Sequence, residues 1–313
     1  MLYSVRPVKG NILHLYRCII PFSMFLKTII LSVIAILAYS QVYAQKPVSQ
    51  KGEELYLQYN DLLPSDLETP RPVQGLALYK NYAFSLRDKG MCVIFNLKKK
   101  EYAGSFMLEG NTSHCNNACF GAEKFSKESQ FPLLYISECR GSRCCYVTDV
   151  TLQGSTIVQK IFYDSDEFKI AMDWAVDPQN GFIYIYGGKH YGTKYLKKLP
   201  LPKLSDSDAN GEVHFTPQDV LQEIAIEGIS IAQGSKIFNG RAYLPDGCSP
   251  NGNKLHVVDL ATGRKIAEYS YSDQLNEPEG IDVMGKWLYT VFHPVKAPAR
   301  NSVIYRSKIP AVK

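Results

Sequence analysis

Five polar residues stand at or near the start of short apolar runs that recur along the chain: Gln74, Asn116, Asp173, Gln233 and Glu279. Amide and carboxyl groups gathered into one ring are suited to bind a sugar or a divalent ion. We therefore predict a ligand site built from these five side chains. Polar side chains of the same kinds also line water-filled channels in proteins of many functions, so the residue types alone assign no reaction.

A second set of candidates is basic and lies in loops between the runs: Arg87, Arg140, Arg143, Lys189 and Arg300. Together with Lys89 and Lys296, they outnumber the acidic residues of the same loops, Asp88, Glu138 and Asp246. Clustered positive charge steers anions, and arginine pairs carboxylates through two parallel N–H groups. The pattern predicts an acidic ligand, such as a uronate-bearing glycan or an acidic peptide. Exposed loops also collect soluble residues without any ligand, which is the alternative interpretation.

The elements that must position these residues are β-strands. Beyond residue 44, short runs rich in Tyr, Val, Ile and Phe alternate with Gly, Asn, Asp and Pro, which is typical of an all-β fold. One pattern, a polar residue followed by a final apolar residue, ends at Leu97, Val150, Leu199, Leu260 and Ile309. This five-fold recurrence predicts a β-propeller of five four-stranded blades. Six blades, with one hidden in residues 200–232, and a β-sandwich are the alternatives.

The last repeat tests this interpretation, because it lacks a fourth strand. Only four residues follow Ile309, whereas residues 54–59 form an alternating strand without a repeat of its own. We predict that this N-terminal strand completes the fifth blade and closes the ring, which would cover both open sheet edges. The candidate ring would then lie at the mouth of the central channel, where the innermost strands begin.

The blade pattern, with propeller-like turns at residues 177–181 and 259–263, resembles exported bacterial-type β-propellers of the NHL, YWTD and glutamine-cyclotransferase-like kinds. No specific family is indicated. A further resemblance, to metal-dependent lactonases of propeller fold, implies an alternative function as a hydrolase. Glu279, Asp173 and Asn116 would then hold one Ca or Zn ion, which polarises a carbonyl group and activates water. We expect a binding or interaction module that requires no cofactor, and leave enzymatic activity open.

The first 44 residues resemble a signal peptide, with Lys27 before an apolar run and a small-residue site ending at Ala44. Met24 is a candidate true start. A membrane anchor is the alternative. We expect residues 45–313 to form one exported domain, periplasmic or secreted, without a stable membrane span. The formal net charge of +5 includes four basic residues of the leader, so a nucleic-acid partner is not supported. The expected partners are small molecules, glycans or peptides.

Seven cysteines follow the leader, and export makes disulfides feasible. Cys139 and Cys144 flank a short predicted turn, so we predict that they form a disulfide. Free buried thiols are the first alternative. A metal site formed by His114, Cys115, Cys119 and a third cysteine is the second, although its spacing is unlike that of zinc sites.

Overall fold

The chain folds into five small sheets in the computed structural model, which describes residues 48–49, 53–67, 71–111, 113–165, 172–247 and 252–310. Two strands precede the first complete sheet: β1 (Val48–Ser49) and β2 (Glu54–Gln58). Blade 1 then consists of β3 (Val73–Tyr79), β4 (Tyr82–Arg87), β5 (Met91–Asn96) and β6 (Glu101–Met107). Its strands pair in sequence order, each antiparallel to the next.

The same four-stranded meander is repeated around the ring. Blade 2 contains β7 (Cys115–Phe120), β8 (Leu134–Glu138), β9 (Cys145–Val150) and β10 (Ser155–Tyr163). Blade 3 contains β11 (Asp173–Asp177), β12 (Phe182–Gly188) and β13 (Lys194–Pro200), then, after β14 (Glu212–Phe215), β15 (Gln222–Ile226). Blade 4 contains β16 (Lys236–Phe238), β17 (Arg241–Asp246), β18 (Lys254–Asp259) and β19 (Arg264–Ser270). Blade 5 contains β20 (Glu277–Met284), β21 (Trp287–His293) and β22 (Val303–Lys308).

Short 3₁₀ turns are the helical elements of the described residues: Asp88–Gly90, Leu204–Asp206, Pro217–Asp219 and Ala299–Asn301. None of these helices has the length and apolar character needed to cross a membrane. Residues 47–313 form one compact unit. The predicted signal peptide, residues 1–44, lies outside the described residues.

The predicted closure of the ring is confirmed. Strand β2 pairs antiparallel with β22 and supplies the fourth strand of blade 5. The structure has five blades rather than six, because residues 200–232 add no sheet of their own. Instead β14 pairs parallel with β10, as an outer fifth strand of blade 2. Strand β1 covers the outer edge of blade 4 in the same way, parallel to β19.

Hydrophobic side chains hold neighbouring blades together. Side chains alternate between the two faces of each sheet. The hydrophobic side chains on the facing surfaces of blades 1 and 2 form one buried cluster. Between blades 1 and 2, the rings of Phe84 and Phe120 meet edge to face with centroids 5.0 Å apart, and Phe131 lies 5.0 Å from Phe84. Aromatic pairs in this geometry add to the stabilisation that burial provides.

One prediction about blade 2 needs correction. Its innermost strand is Cys115–Phe120, and all six residues are buried. The predicted disulfide between Cys139 and Cys144 is absent, and both are free buried thiols. The reason is the register of the hairpin: Ser137 pairs with Cys145, and the N–H of Glu138 donates to the carbonyl of Cys144. Cys144 therefore lies opposite Glu138 rather than opposite Cys139.

Candidate functional site

Three β-bulges aim predicted site residues at the channel mouth. The pairing of the first and second strands shifts register between Val73 and Gly75, which leaves Gln74 as the extra residue. Equivalent shifts leave Asn116 unpaired in blade 2 and Glu279 unpaired in blade 5. Bulges re-aim a side chain away from the regular alternation of a strand and are enriched beside functional sites. Asp173 reaches the same region from a regular strand, directly opposite Tyr186.

Glycines follow two of the predicted site residues, Glu279 and Gln233, and allow close backbone contact between neighbouring blades. A Cβ placed on Gly280 would lie 2.5 Å from the backbone nitrogen of Leu76 and 2.6 Å from the carbonyl carbon of Gly75. A Cβ placed on Gly234, whose φ is +72°, would lie 2.9 Å from the carbonyl oxygen of Glu279. Only glycine fits such backbone contacts, and the polar residue that precedes each glycine is thereby held at a neighbouring blade.

The predicted ring residues are linked to one another across blades. The Nε2 of Gln74 donates to Oε1 of Glu279 over 3.4 Å. The side-chain amide of Gln233 donates to Glu277, which in turn shares a hydrogen bond with Glu279. Blades 1, 5 and 4 are connected in this way.

Blades 2 and 3 are connected through a second link, in which the Nδ2 of Asn116 donates to Oδ1 of Asp173. Asn117 adds a third link, because its Nδ2 donates to the carbonyl oxygens of Trp174 and Ser235, each over 3.1 Å. The structure thus brings all five predicted residues, together with Glu277 and Asn117, to one end of the central axis.

Burial dominates the electrostatics of this group, which we call the mouth ring (Gln74, Asn116, Asn117, Asp173, Gln233, Glu277 and Glu279). Burial raises the pKa of Asp173 well above its usual range, and the hydrogen bond from Asn116 opposes that shift only in part. Burial likewise raises the pKa of Glu279 well above its usual range, and the nearby carboxyl groups of Glu277 and Asp173 raise it further. These directions follow from placing several carboxyl groups together in a site that excludes water.

Sequence reasoning missed a buried ion pair deeper in the channel. Lys236 of blade 4 lies 2.6 Å from Oδ1 of Asp282 in blade 5, and Oδ2 of Asp282 accepts the N–H of Leu78 in blade 1 over 2.7 Å. Burial alone would lower the pKa of Lys236, but the Asp282 carboxylate raises it above its usual value. The signal in the sequence was a charged residue at an inward position of an apolar run, as in Ile281-Asp282-Val283.

The basic candidates do not form one surface. Arg87 is fully buried, and its Nη1 donates to the carbonyl of Arg71 over 2.8 Å. Burial lowers the pKa of Arg87. Arg300 donates to the carbonyls of Leu67 (2.9 Å) and Pro64 (3.1 Å) and so holds the loop after β2. These two arginines stabilise loops at the mouth of blades 1 and 5.

The other three basic candidates lie on blades 2 and 3. Arg140 and Lys189 are exposed, and Arg143 is partly exposed. The loop that carries Lys189 is held by Lys194, whose buried Nζ donates to the carbonyls of Lys189 (2.6 Å) and Ile229 (3.0 Å). Lys194 thus connects the loop that carries Lys189 to the segment around Ile229.

The acidic residues of the same loops point into the protein. Glu138 is fully buried and accepts the hydroxyl of Tyr146 over 3.0 Å. Asp246 is also buried and accepts the N–H of Ile231 over 2.9 Å, while Asp88 pairs with His114 at 2.8 Å. The exposed charges of these loops are therefore mainly basic. Exposed carboxylates occur on the loops between blades, at Asp61, Glu109 and Glu227.

A pocket of about 430 Å³ opens between the β8–β9 turn and the end of β10 in blade 2. Gly141 and Arg143 of the β8–β9 turn, Asp164 after β10, and Met172 contribute to its walls. Met172 directly precedes Asp173 in the sequence, but none of the residues that line the pocket belongs to the mouth ring. In the described ranges, no group of three or more His, Cys, Asp or Glu side chains is arranged to hold a metal ion. Within these ranges, His114, Cys115 and Cys119 thus form no such group with a third cysteine.

No model of a known protein family and no curated protein matches the sequence. Solved structures do match the fold. The tail fiber of Staphylococcus aureus phage P68 superposes with a TM-score of 0.55 and 14% identity over 81% of this chain and 52% of that chain. The chain thus spans about half the length of the tail fiber. Glutaminyl cyclase of Myxococcus xanthus superposes with a TM-score of 0.50 and 11% identity over 85% of this chain and 100% of that chain. Such identities show a shared β-propeller fold and nothing finer.

Proposed function

We propose that the protein is an exported binding module that holds a glycan or a peptide at the mouth of its propeller. The observation that carries this proposal is the mouth ring, in which bulges of three blades turn amide and carboxyl side chains toward one end of the axis. Amides and carboxyl groups in a concave, mostly buried setting fix the orientation of a polar ligand. The pocket of about 430 Å³ beside the β8–β9 turn offers room for part of that ligand.

We further propose that the ligand is acidic. The exposed charges on the loops that join the second and third strands of the blades are mainly basic, because Glu138 and Asp246 are buried with their own partners. Arg140 and Lys189 are the exposed members of the predicted basic set. Both can meet a carboxylate of the ligand while the mouth ring binds its hydroxyl or amide groups.

Oligogalacturonate and its fully methyl-esterified form test this proposal, because they differ in charge but not in the sugar backbone. Calorimetry at 20 mM and 200 mM NaCl should show binding of the acidic form that weakens with salt, since screening acts within about 10 Å at 0.1 M. The double variant Arg140→Ala/Lys189→Ala should bind at least tenfold more weakly. Lys308→Ala, an exposed lysine at the end of a β-strand far along the blade, is the matched control.

Two results would overturn the proposal. Equal binding of both forms would show that charge is not recognised. Binding that survives both the double variant and the replacement of Gln74 and Gln233 by Ala would place the ligand elsewhere on the molecule. An array of acidic and neutral peptides, read with the same variants, provides the corresponding test for a peptide ligand.

A further inference from the structure

A cluster of basic side chains lies at the end of the propeller opposite the mouth ring. The mouth ring lies where the first strands begin. Each blade is an antiparallel meander, so the turns after its first and third strands lie at the other end. In blades 1 and 5 these turns and the strand ends beside them carry seven basic residues, which we call the lysine patch: Lys80, Lys98, Lys99, Lys100, Lys286, Arg306 and Lys308.

Hydrogen bonds join the segments of the lysine patch into one surface. In blade 1, the N–H of Leu97 donates to the carbonyl of Asn81 over 2.7 Å and so connects the two turns. In blade 5, the N–H of Ile309 donates to the carbonyl of Lys286 over 3.2 Å. The hydroxyl of Tyr56, from the strand that closes blade 5, donates to the carbonyl of Leu97 over 2.9 Å. The two blades are thereby connected at this end.

Cations and aromatic rings alternate across this surface. The Nζ of Lys100 lies 5.0 Å from the centroid of the Tyr56 ring, and the guanidinium carbon of Arg306 lies 4.5 Å from the same centroid. That guanidinium carbon also lies 4.5 Å from the ring of Trp287, and the Nζ of Lys286 lies 5.7 Å from that ring. An aromatic ring attracts a cation to its face, so these contacts favour a fixed arrangement of the charges.

The lysine patch is strongly positive although the domain is almost neutral. Its segments carry two acidic residues, Glu54 and Glu101, which pair with Arg306 and Lys99. The net charge of these segments is therefore +5, whereas that of residues 45–313 is only +1. The other five basic residues are exposed and form no ion pair in the part of the chain that the structure describes: Lys80, Lys98, Lys100, Lys286 and Lys308. Such a concentration of unpaired charge attracts an anionic partner.

We propose that the lysine patch binds the anionic phospholipid surface of a membrane. Its charges stand on separate turns and strand ends of two blades, which suits many phosphates in one plane better than a single small anion. Six of the seven residues are lysines, whose hydrated ammonium groups attract phosphate without a fixed geometry. Tyr56 and Trp287 are partly exposed beside them, and rings of this kind favour the level of the lipid headgroups.

This contact would orient the propeller on the membrane. Binding through the turns opposite the mouth leaves the mouth ring facing away from the lipid and accessible from solution. The lipid contact does not rest on the proposed glycan or peptide ligand. It is tested with vesicles alone, so failure of one proposal leaves the other standing.

Co-sedimentation with vesicles is the first experiment. It uses residues 45–313, which contain the whole compact unit, because the apolar leader would bind lipid by itself. Vesicles of phosphatidylcholine with about 30% phosphatidylglycerol should bind the protein at least tenfold more tightly than pure phosphatidylcholine does. This binding should weaken as NaCl rises from about 50 to 300 mM, because salt screens exposed charges.

A pair of variants tests which end of the propeller meets the lipid. Lys100→Gln/Lys286→Gln should bind the anionic vesicles about tenfold more weakly, because each lysine near an anionic surface adds to the attraction. Lys89→Gln/Lys296→Gln is the matched control, since it removes two exposed lysines from loops at the mouth end, and it should bind as the parent does. Lys100 and Lys89 have φ angles of 54° and 60°, so the two variants place glutamine in similar backbone conformations.

Tryptophan quenching locates the contact independently of these variants. Trp287 adjoins the lysine patch and is partly exposed, whereas Trp174, the other tryptophan of the chain, is fully buried. Phosphatidylglycerol with brominated acyl chains should therefore quench the emission of Trp287 in the vesicle-bound protein. The quenching should persist in Trp174→Phe and be lost in Trp287→Phe.

Three results would overturn the proposal. The first is equal binding to anionic and neutral vesicles. The second is binding that Lys100→Gln/Lys286→Gln weakens no more than the control variant does, which would put the contact elsewhere. The third is binding to soluble dextran sulfate without binding to anionic vesicles, which would assign the lysine patch to an anionic polymer instead.

Discussion

Replacing Lys236 by Met tests whether the buried ion pair between blades 4 and 5 stabilises the propeller. The side chains of Lys236 and Asp282 are 12% and 2% exposed, and their charged atoms are 2.6 Å apart. Without the lysine, the Asp282 carboxylate would stay buried with only the N–H groups of Leu78 and Val283 as partners. Breaking one side of such a pair costs about 3–5 kcal/mol. We expect the free energy of unfolding to fall by about 3 kcal/mol and the Tm by roughly 6–12 °C.

Urea unfolding followed by circular dichroism measures this loss, with the exposed Lys308→Met as control. The double variant Lys236→Met/Asp282→Asn removes both charges and keeps an oxygen that can accept the N–H of Leu78. It should therefore recover at least half of the stability lost in the single variant. A single variant within about 1 kcal/mol of the parent, or a double variant less stable than the single one, would refute the reasoning.

Three further predictions concern closure, packing and pH. Deleting residues 45–60 should lower the Tm of the whole domain, because it removes β2 from blade 5; an unchanged Tm would contradict ring closure. Gly280→Ala should lower the free energy of unfolding by about 3 kcal/mol, since its Cβ would meet backbone at 2.5 Å. Gly285→Ala, with open space around it, should lose only about 1 kcal/mol; equal losses in urea would contradict this. Burial alone would raise the pKa of Glu268, but hydrogen bonds from Lys254 and Lys265 lower it to about 2. Its stabilisation, about 1 kcal/mol after solvent screening, should be present above pH 4.5 and lost as the pH falls toward 2, and Glu268→Gln should show no such loss in urea titrations at each pH.

Local patterns in the chain predicted most of the fold. The strands expected to end near Leu97, Val150 and Leu199 end within one residue of those positions. Alternation with period two and turn residues act over a few positions, so they can be read without knowing the neighbours. The fifth repeat has one strand fewer than the others, and residues 54–59 form a strand outside any repeat. Counting strands was therefore enough to predict that the two pair, and β2 does pair with β22.

Strand register and contacts between segments decided the rest. Whether Cys139 faces Cys144 depends on the register of one hairpin, and a shift of one residue removes the bridge. Whether an arginine is a surface charge or stabilises a loop depends on which carbonyl groups surround it. Arg300 donates to the carbonyls of Leu67 and Pro64 and so stabilises the loop after β2.

The chain by itself determined an all-β propeller of five blades and which polar residue types gather at its mouth. Tertiary structure decided how those residues meet. Bulges turn Gln74, Asn116 and Glu279 toward the axis, and Gly280 allows the innermost strands of blades 5 and 1 to touch. The bulges depend on the register between consecutive strands of one blade, and the contact at Gly280 depends on the packing of two different blades. Repeat patterns in the sequence do not specify such pairing, so the hydrogen-bonded ring of amide and carboxyl groups is visible only in the folded chain.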